Sequence, residues 1–454
     1  MSSPSRPSST TVHHLVLSFC FLSAFLSYYV QFEGLYSRRG VAPLLSTFEL
    51  DFGSFAFGSF AFSILDAHLV QLLCFLGVVV SSLAVTDSAR RPLYFPLLTL
   101  SYHQLMSSSS TSNAPFYNFQ WDALLQEAGF AASVESLLSS PLLLGASSSG
   151  ASSSLPTHLT RLVTFKLMFM SFLAKVQSRC PTWLHLTALE FHYATQPLPT
   201  FLSWHALNHL PPILHRASVA ATLIIEGAAP LLLLFPTVAT RSFGAKLQIA
   251  LQLLIAATGS YTFFNLLTGG LAAGCWEGSD WSDWGRSRAG APSAARRVLS
   301  IAEVLLATLA LAYCASSMFA VGSYSAAPVS VASPPSSGLL SVLALRYNPA
   351  PSTVDAIAEA VIPAAVNFAV GHALLVGAKD TALASISRDW LRALKTAAVA
   401  PIVAAALCGI ALPLYTLTNG LRERNLGDGA RGVVPRIGSA VYFGAGGMGA
   451  MSFR

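Results

Sequence analysis

Charge is what this sequence lacks. Only 10% of its 454 residues are Asp, Glu, Lys or Arg, where soluble domains carry roughly 25%. Hydrophobic residues make up 53%. A soluble fold cannot hide that much apolar surface, so the composition excludes an ordinary soluble domain. No basic run and no aromatic-interleaved basic stripe occurs, so the net charge of +6 does not read as a nucleic-acid surface. C-x-x-C, G-x-S-x-G and the P-loop pattern are all absent. Thioredoxin-like redox chemistry, serine-hydrolase chemistry and P-loop phosphate binding therefore lose their signatures. No Asn-X-Ser/Thr sequon occurs, so no glycan marks a lumenal loop. The one G-x-G-x-x-G match, residues 444–449, lacks the following helix and acid of a dinucleotide site and reads as a Gly-rich tail.

What the sequence does have is apolar runs. A span needs about 20 such residues. The candidates are His14–Phe32, Ser63–Val85, Leu93–Met106, Leu162–Gln177, Ala217–Phe235, Phe243–Thr268, Val298–Ala320, Ser337–Leu345, Val354–Ala378 and Ala397–Leu417. Leu93–Met106 is short and can continue as a broken helix into the segment that starts at Phe119; Ser337–Leu345 is weak. The predicted fold is all-α, a polytopic transmembrane bundle of about 8–10 apolar helices with lumenal loop caps. Residues 1–13 read as a disordered N-terminus, 14–418 as the membrane domain and 419–454 as a short Gly-rich tail. Ser-rich insertions fall at 107–114 and 139–154, a Pro/Ser linker at 327–337 and a cap at 178–212. The first run lacks a clear cleavage site and reads as a retained anchor. Arg38 and Arg39 after the first run and Arg90 and Arg91 after the second leave the orientation open. Of six cysteines, only Cys180 and Cys275 fall in predicted loops, and a disulfide between them requires both loops to face an oxidising lumen.

Polar and aromatic residues concentrate in Lys175–Pro199, KVQSRCPTWLHLTALEFHYATQPLP, between two apolar runs. Trp183, Glu190, His192, Tyr193 and Gln196 lie there, and polar side chains this close to a bilayer cost free energy unless they build a site or a packed cap. Lys175 shares a helical face with Met168, Ser171 and Phe172. It either snorkels to the interface or sits desolvated and serves as a base. His205 and His209 are four apart but lack the Glu of H-E-x-x-H, so no metal is expected. In NFQWDALLQEAGF, Trp121 reads as a belt residue and Asp122 complements the positive start of a helix; the alternative reading of the block is a partner-binding surface or a buried polar network. Glu127 lies about 140° around that helix from Asp122, so the two do not form a carboxylate pair. Asn265, in YTFFNLLT, reads as an interhelical hydrogen-bonding residue. Glu226, Glu303, Asp355, Glu359 and His372 lie in or at the ends of apolar runs without regular spacing. A transporter would need such groups to converge.

QFEGLYSRRGVAP, NFQWDALLQEAGF, FKLMFMSFLAKVQSRCPTWLHLTALEFHYATQPLP and TGSYTFFNLLT together resemble the lipase maturation factor family, in that family's order, from Gln31 to Thr268. The resemblance implies a multi-span endoplasmic reticulum membrane protein, non-enzymatic and without a cofactor. Its implied partners are secretory clients, lipases in the best-known members, and the lipid bilayer. It also implies a large lumenal C-terminal domain, where this sequence has residues 419–454; either the chain is a fragment or this member lacks that domain. A weaker resemblance, FLAKVQS followed by Trp183, is to the helix carrying the catalytic lysine of vitamin-K-dependent carboxylases. It supplies an enzyme alternative with Lys175 as base and Glu190 or His192 nearby; a small-solute or ion transporter is a further alternative.

Overall fold

The computed structural model describes residues 9–37, 40–41, 48–51, 61–64, 67–87, 90–111, 119–138, 157–178, 180–196, 198–276, 294–323, 343–347, 349, 351–386, 401–408 and 410–411. Helices dominate, and five of them are long and apolar enough to cross a membrane: Val12–Leu35, Leu69–Thr86, Pro212–Leu233, Val298–Met318 and Thr353–Val376. The chain is a multi-span helical membrane protein. It divides into two compact units, Met1–Val163 with Ala373–Ala406 and Thr164–His372 with Leu407–Arg454.

The first unit contains α1 (Ser9–Leu35), hairpin strands β1 (Phe48–Asp51) and β2 (Ala61–Ile64), α2 (Ala67–Thr86), α3 (Arg91–Thr111) and α4 (Gln120–Leu138). α1 packs on α2, and α3 on α4. Gly77 lets α2 approach closely: a Cβ there would lie 2.3 Å from the Phe25 ring of α1. Buried Phe21 and Phe25 each meet Tyr102 edge to face in the core, a favoured aromatic geometry. Polar pairs tie α3 to α4: Thr99 with Ser133 at 3.3 Å, His103 Nδ1 with Gln126 Oε1 at 2.9 Å, and Tyr102 with Asp122 at 2.5 Å. Such bonds hold helices together where lipid removes the hydrophobic drive between them.

The second unit holds most of α5 (Thr157–Gln177), then α6 (Pro181–Leu184), α7 (Ala188–Ala194), α8 (Phe201–His209), α9 (Pro212–Gly227), α10 (Pro230–Leu233), α11 (Val238–Thr258) and α12 (Phe264–Gly274). α13 (Ala294–Met318), the hairpin of β3 (Phe319–Ser323) with β4 (Leu343–Tyr347), and the first part of α14 (Pro351–Ile386) follow. Proline marks four helix starts, α6, α9, α10 and α14, where its missing N–H costs nothing.

Several expectations are corrected. α1 begins at Ser9, inside the segment read as disordered. Ser107–Thr111 complete α3 and are not loop. The weak span Ser337–Leu345 ends in strand β4, whose five residues are far too few to cross a bilayer. Phe243–Thr268 is interrupted at Gly259, where α11 ends. Cys275 is no loop residue: it caps α12, is buried, and donates to Thr164 Oγ1 at 3.4 Å, while all six cysteines are free. The insertion 139–154, Arg38 and Arg39, the linker 327–337 and the tail 419–454 lie outside the described residues.

Candidate functional site

In the second unit the polar residues of Lys175–Pro199 fall on the last turn of α5, on the short helices α6 and α7, and just after α7. Lys175 stands in the last turn of α5, and Glu226 in the last turn of α9. The two helices approach closely at Gly227, where a Cβ would lie 3.0 Å from the Phe172 ring. Lys175 Nζ donates to Glu226 Oε2 at 2.6 Å and to Ser171 Oγ at 2.7 Å. The ammonium also lies 5.2 Å from the Trp183 ring centroid, within cation–π range. Lys175 is therefore mostly buried, and its ammonium is held by Glu226 and Ser171. A base needs its lone pair aimed at a substrate proton, and Nζ is spent as a donor to a carboxylate. This geometry removes the mechanism from the lysine-base alternative.

The last carbonyls of any helix lack internal partners. At the end of α11 the cap supplies them: Gln196 Nε2 donates to Thr258 O at 2.7 Å, and Thr200 Oγ1 to Ala257 O at 3.3 Å. Thr200 also opens α8 through a capping box with Ser203. Beyond α11, Gly259 leaves room for the Tyr261 ring, since a Cβ there would fall 2.3 Å from it. That ring lies parallel to His192, and its hydroxyl shares a hydrogen bond with His192 Nε2. Tyr193 packs against His215 of α9, with ring centroids 5.9 Å apart. Among the described residues, the two non-glycine positions with positive φ are Leu186 at 61° and Thr262 at 54°, both at this cap. Left-handed backbone costs an L-residue roughly 1–2 kcal/mol, so surrounding packing holds the cap in a shape the chain would not adopt alone.

Glu190 is 5% exposed, and neither carboxylate oxygen meets a hydrogen-bond donor among the described residues. Burial pushes its carboxyl up, against the opposing pull of the Arg216 charge. His192 is held below its ordinary value by burial first and then by the Lys175 charge. A lowered imidazole makes folding favour the neutral ring. Its contribution is complete above the unfolded value of 6.5 and is lost as pH falls from there through the lower folded value. Glu190 acts oppositely: its contribution is present at acid pH and is lost as pH rises from 4.5 through the raised folded value. As pH drops below 6.5, detergent-solubilised wild type is expected to lose stability relative to His192→Phe. Thermal unfolding of both proteins across this range checks it; equal slopes would reject the assignment.

The other predicted residues sit elsewhere. In the first unit, Asp122 is 1% exposed and accepts from Tyr102 Oη at 2.5 Å, Tyr28 Oη at 3.3 Å and the Phe119 backbone N–H at 2.9 Å. Trp121 stacks on Phe119, and Glu127 is half-buried. Asn265, read as an interhelical hydrogen-bonding residue, is buried in α12, and its Oδ1 meets no donor among the described residues. Asp355 of α14 accepts from Gln177 at 2.9 Å. Glu226 and Asp355 are each engaged by a separate side chain near the end of α5, Lys175 and Gln177. His205 and His209 lie ring to ring at 5.2 Å, flanked by Trp204 and Phe201, with no third ligand among the described residues. Sequence reading left the Lys175–Glu226 pairing unassigned; its one visible signal was an acid in an apolar run.

Residues 9–282 match the family described as the lipase maturation factor transmembrane domain. Lipase maturation factor 2 of Gallus gallus is 37% identical over 314 residues, which cover 65% of this chain and 43% of that protein. The Homo sapiens protein of the same name is 36% identical over 268 residues, 55% of this chain and 37% of its own length. Lipase maturation factor 1 of Homo sapiens is 28% identical over 276 residues, 56% and 45% of the two chains. The chain thus covers under half the length of these curated relatives, and their names describe maturation factors, not enzymes. No solved structure matches. Both the Lys175–Glu226 pair and the cap that joins α7 and α8 to α11 fall inside the matched region, and the chain belongs to the lipase maturation factor family.

Proposed function

We propose that this chain is a non-enzymatic membrane protein of the endoplasmic reticulum that assists maturation of secreted lipases, with the 178–212 cap on the lumenal side. The observation that carries the reading is the match across residues 9–282 to a family whose curated members are named for lipase maturation. The cap supports it physically. Trp183, His192, Tyr193 and Gln196 are half-buried and held by hydrogen bonds and ring contacts, which makes a fixed polar platform. Beside it α8 exposes Phe201 at 74%, Leu202 at 50% and Trp204 at 54%. Folding helpers engage apolar surface that a client has not yet buried, and exposed aromatic surface of this kind suits such a partner.

The test is a knockout of the gene with comparison of secreted lipase activities, followed by rescue. This chain is expected to restore lipase activity, and Phe201→Ser/Trp204→Ser to restore less at equal protein level. Secreted lipases unchanged by the knockout would refute the maturation role. Rescue by the double variant equal to wild type would move the client surface away from α8.

A further inference from the structure

One cluster of chemistry-bearing side chains lies apart from the cap, in the first unit. His13 and His14 stand near the start of α1, and Glu135 in the last turn of α4. They are 1%, 9% and 3% exposed. One ligand atom from each lies within 4.8 Å of the others, the one such group of three or more among the described residues.

An ordinary ion pair does not account for the distances. A charge-assisted N–H···O bond is about 2.7–2.9 Å long, whereas His14 Nε2 and Glu135 Oε2 stand 3.6 Å apart. Two ligands of one tetrahedral zinc, each about 2.1 Å from it, are about 3.4 Å apart. The carboxylate is also oriented from behind. Thr160 donates to its other oxygen, Oε1, through both its backbone N–H at 3.2 Å and its hydroxyl at 2.5 Å. That leaves Oε2 directed at the histidine. Outer partners of this kind fix metal ligands in place. The buried Phe95 ring meets His14 edge-on at 5.0 Å, which keeps one side of the cluster dry.

We propose that one ring nitrogen of His13, Nε2 of His14 and Oε2 of Glu135 hold a zinc ion, with one enclosed water as its fourth ligand. Two imidazoles and one carboxylate are a known three-ligand set for this metal. Bound there, the ion ties the start of α1 to the end of α4. Adjacent histidines and a glutamate more than a hundred residues later carry no spacing signal, so sequence reading expects no metal here.

The test uses the full chain in detergent, purified through a tag without histidine and incubated with stoichiometric Zn2+, then desalted. Elemental analysis is expected to find about one zinc per chain and Co2+ to give the visible absorption of a four-coordinate N/O site. His14→Gln and Glu135→Gln are expected to lose both signals, and His205→Gln to keep them. Thr160→Val, which removes only the orienting hydroxyl, is expected to weaken zinc by about 10- to 100-fold in competition with a chromophoric chelator. Zinc in Glu135→Gln equal to wild type overturns the proposal. Should the ligand variants fail to fold, wild type decides alone: if it takes no zinc from the chelator, the site does not exist.

Discussion

Lys175→Met is expected to destabilise the protein by about 3 kcal/mol, the low end of the effect of removing one partner from a buried ion pair, since the lysine side chain is 19% exposed. The cause is the group left behind. Glu226 is 4% exposed, and Lys175 is the donor it accepts from at 2.6 Å. Without that ammonium the carboxylate keeps its desolvation cost and loses its compensation. Replacing both partners removes the stranded charge, so Lys175→Met/Glu226→Leu is expected to recover most of the loss. Denaturant unfolding of the two single variants and the double variant in detergent closes the cycle. A coupling energy near zero, with Lys175→Met within about 1 kcal/mol of wild type, would mean that the pair is solvated as surface pairs are. The same experiment bears on the lysine-base alternative. A lysine kept for chemistry should lose activity on substitution without a large stability change; one kept for structure should do the reverse.

The sequence showed where the helices are far better than which of them meet. α1, α2, α9, α13 and α14 were legible because each is a long apolar run, a length-scale signal that no soluble element imitates. β4 was not: five residues, LALRY, are too short for periodicity to separate strand from the end of a weak span. Lys175 was singled out correctly as an unusual residue, but its environment was not readable. A loop joining two antiparallel spans would leave Lys175 beside the start of the next helix. It meets instead Glu226, in the last turn of α9, which follows from the 178–211 stretch folding as α6, α7 and α8 along the unit. Partners 51 residues apart have no common period. The same holds for Gln196 and Thr258, joined because α11 ends with orphan carbonyls where the cap passes. Local chemistry was legible at Asp122, since a carboxylate near a helix start has a reason to be there whatever packs around it; its tyrosine partners were not.

Asp122→Ala is the second large effect, expected to cost about 3 kcal/mol. Three donors converge on this carboxylate, and Tyr102, fully buried, loses its acceptor when it is removed. A buried donor left unsatisfied costs about 1–3 kcal/mol. Loss of the bond to the Phe119 N–H, which closes the first turn of α4, adds about 1 kcal/mol in the manner of a lost cap. Asp122→Asn separates charge from shape. Its amide keeps one oxygen to accept with but turns the other position into a donor facing donors, so an intermediate loss is expected. Tyr102→Phe should be milder than Asp122→Ala, because it removes the donor and leaves the carboxylate two others. Glu127→Ala is the internal control, since Glu127 lies on another face of the same helix and is only half-buried. Unfolding of the four variants in one detergent tests the ranking. If Asp122→Ala costs no more than Glu127→Ala, the α1–α3–α4 network around Asp122 is not what holds the start of α4, and the aromatic packing of Phe21, Phe25 and Tyr102 carries that part of the fold instead.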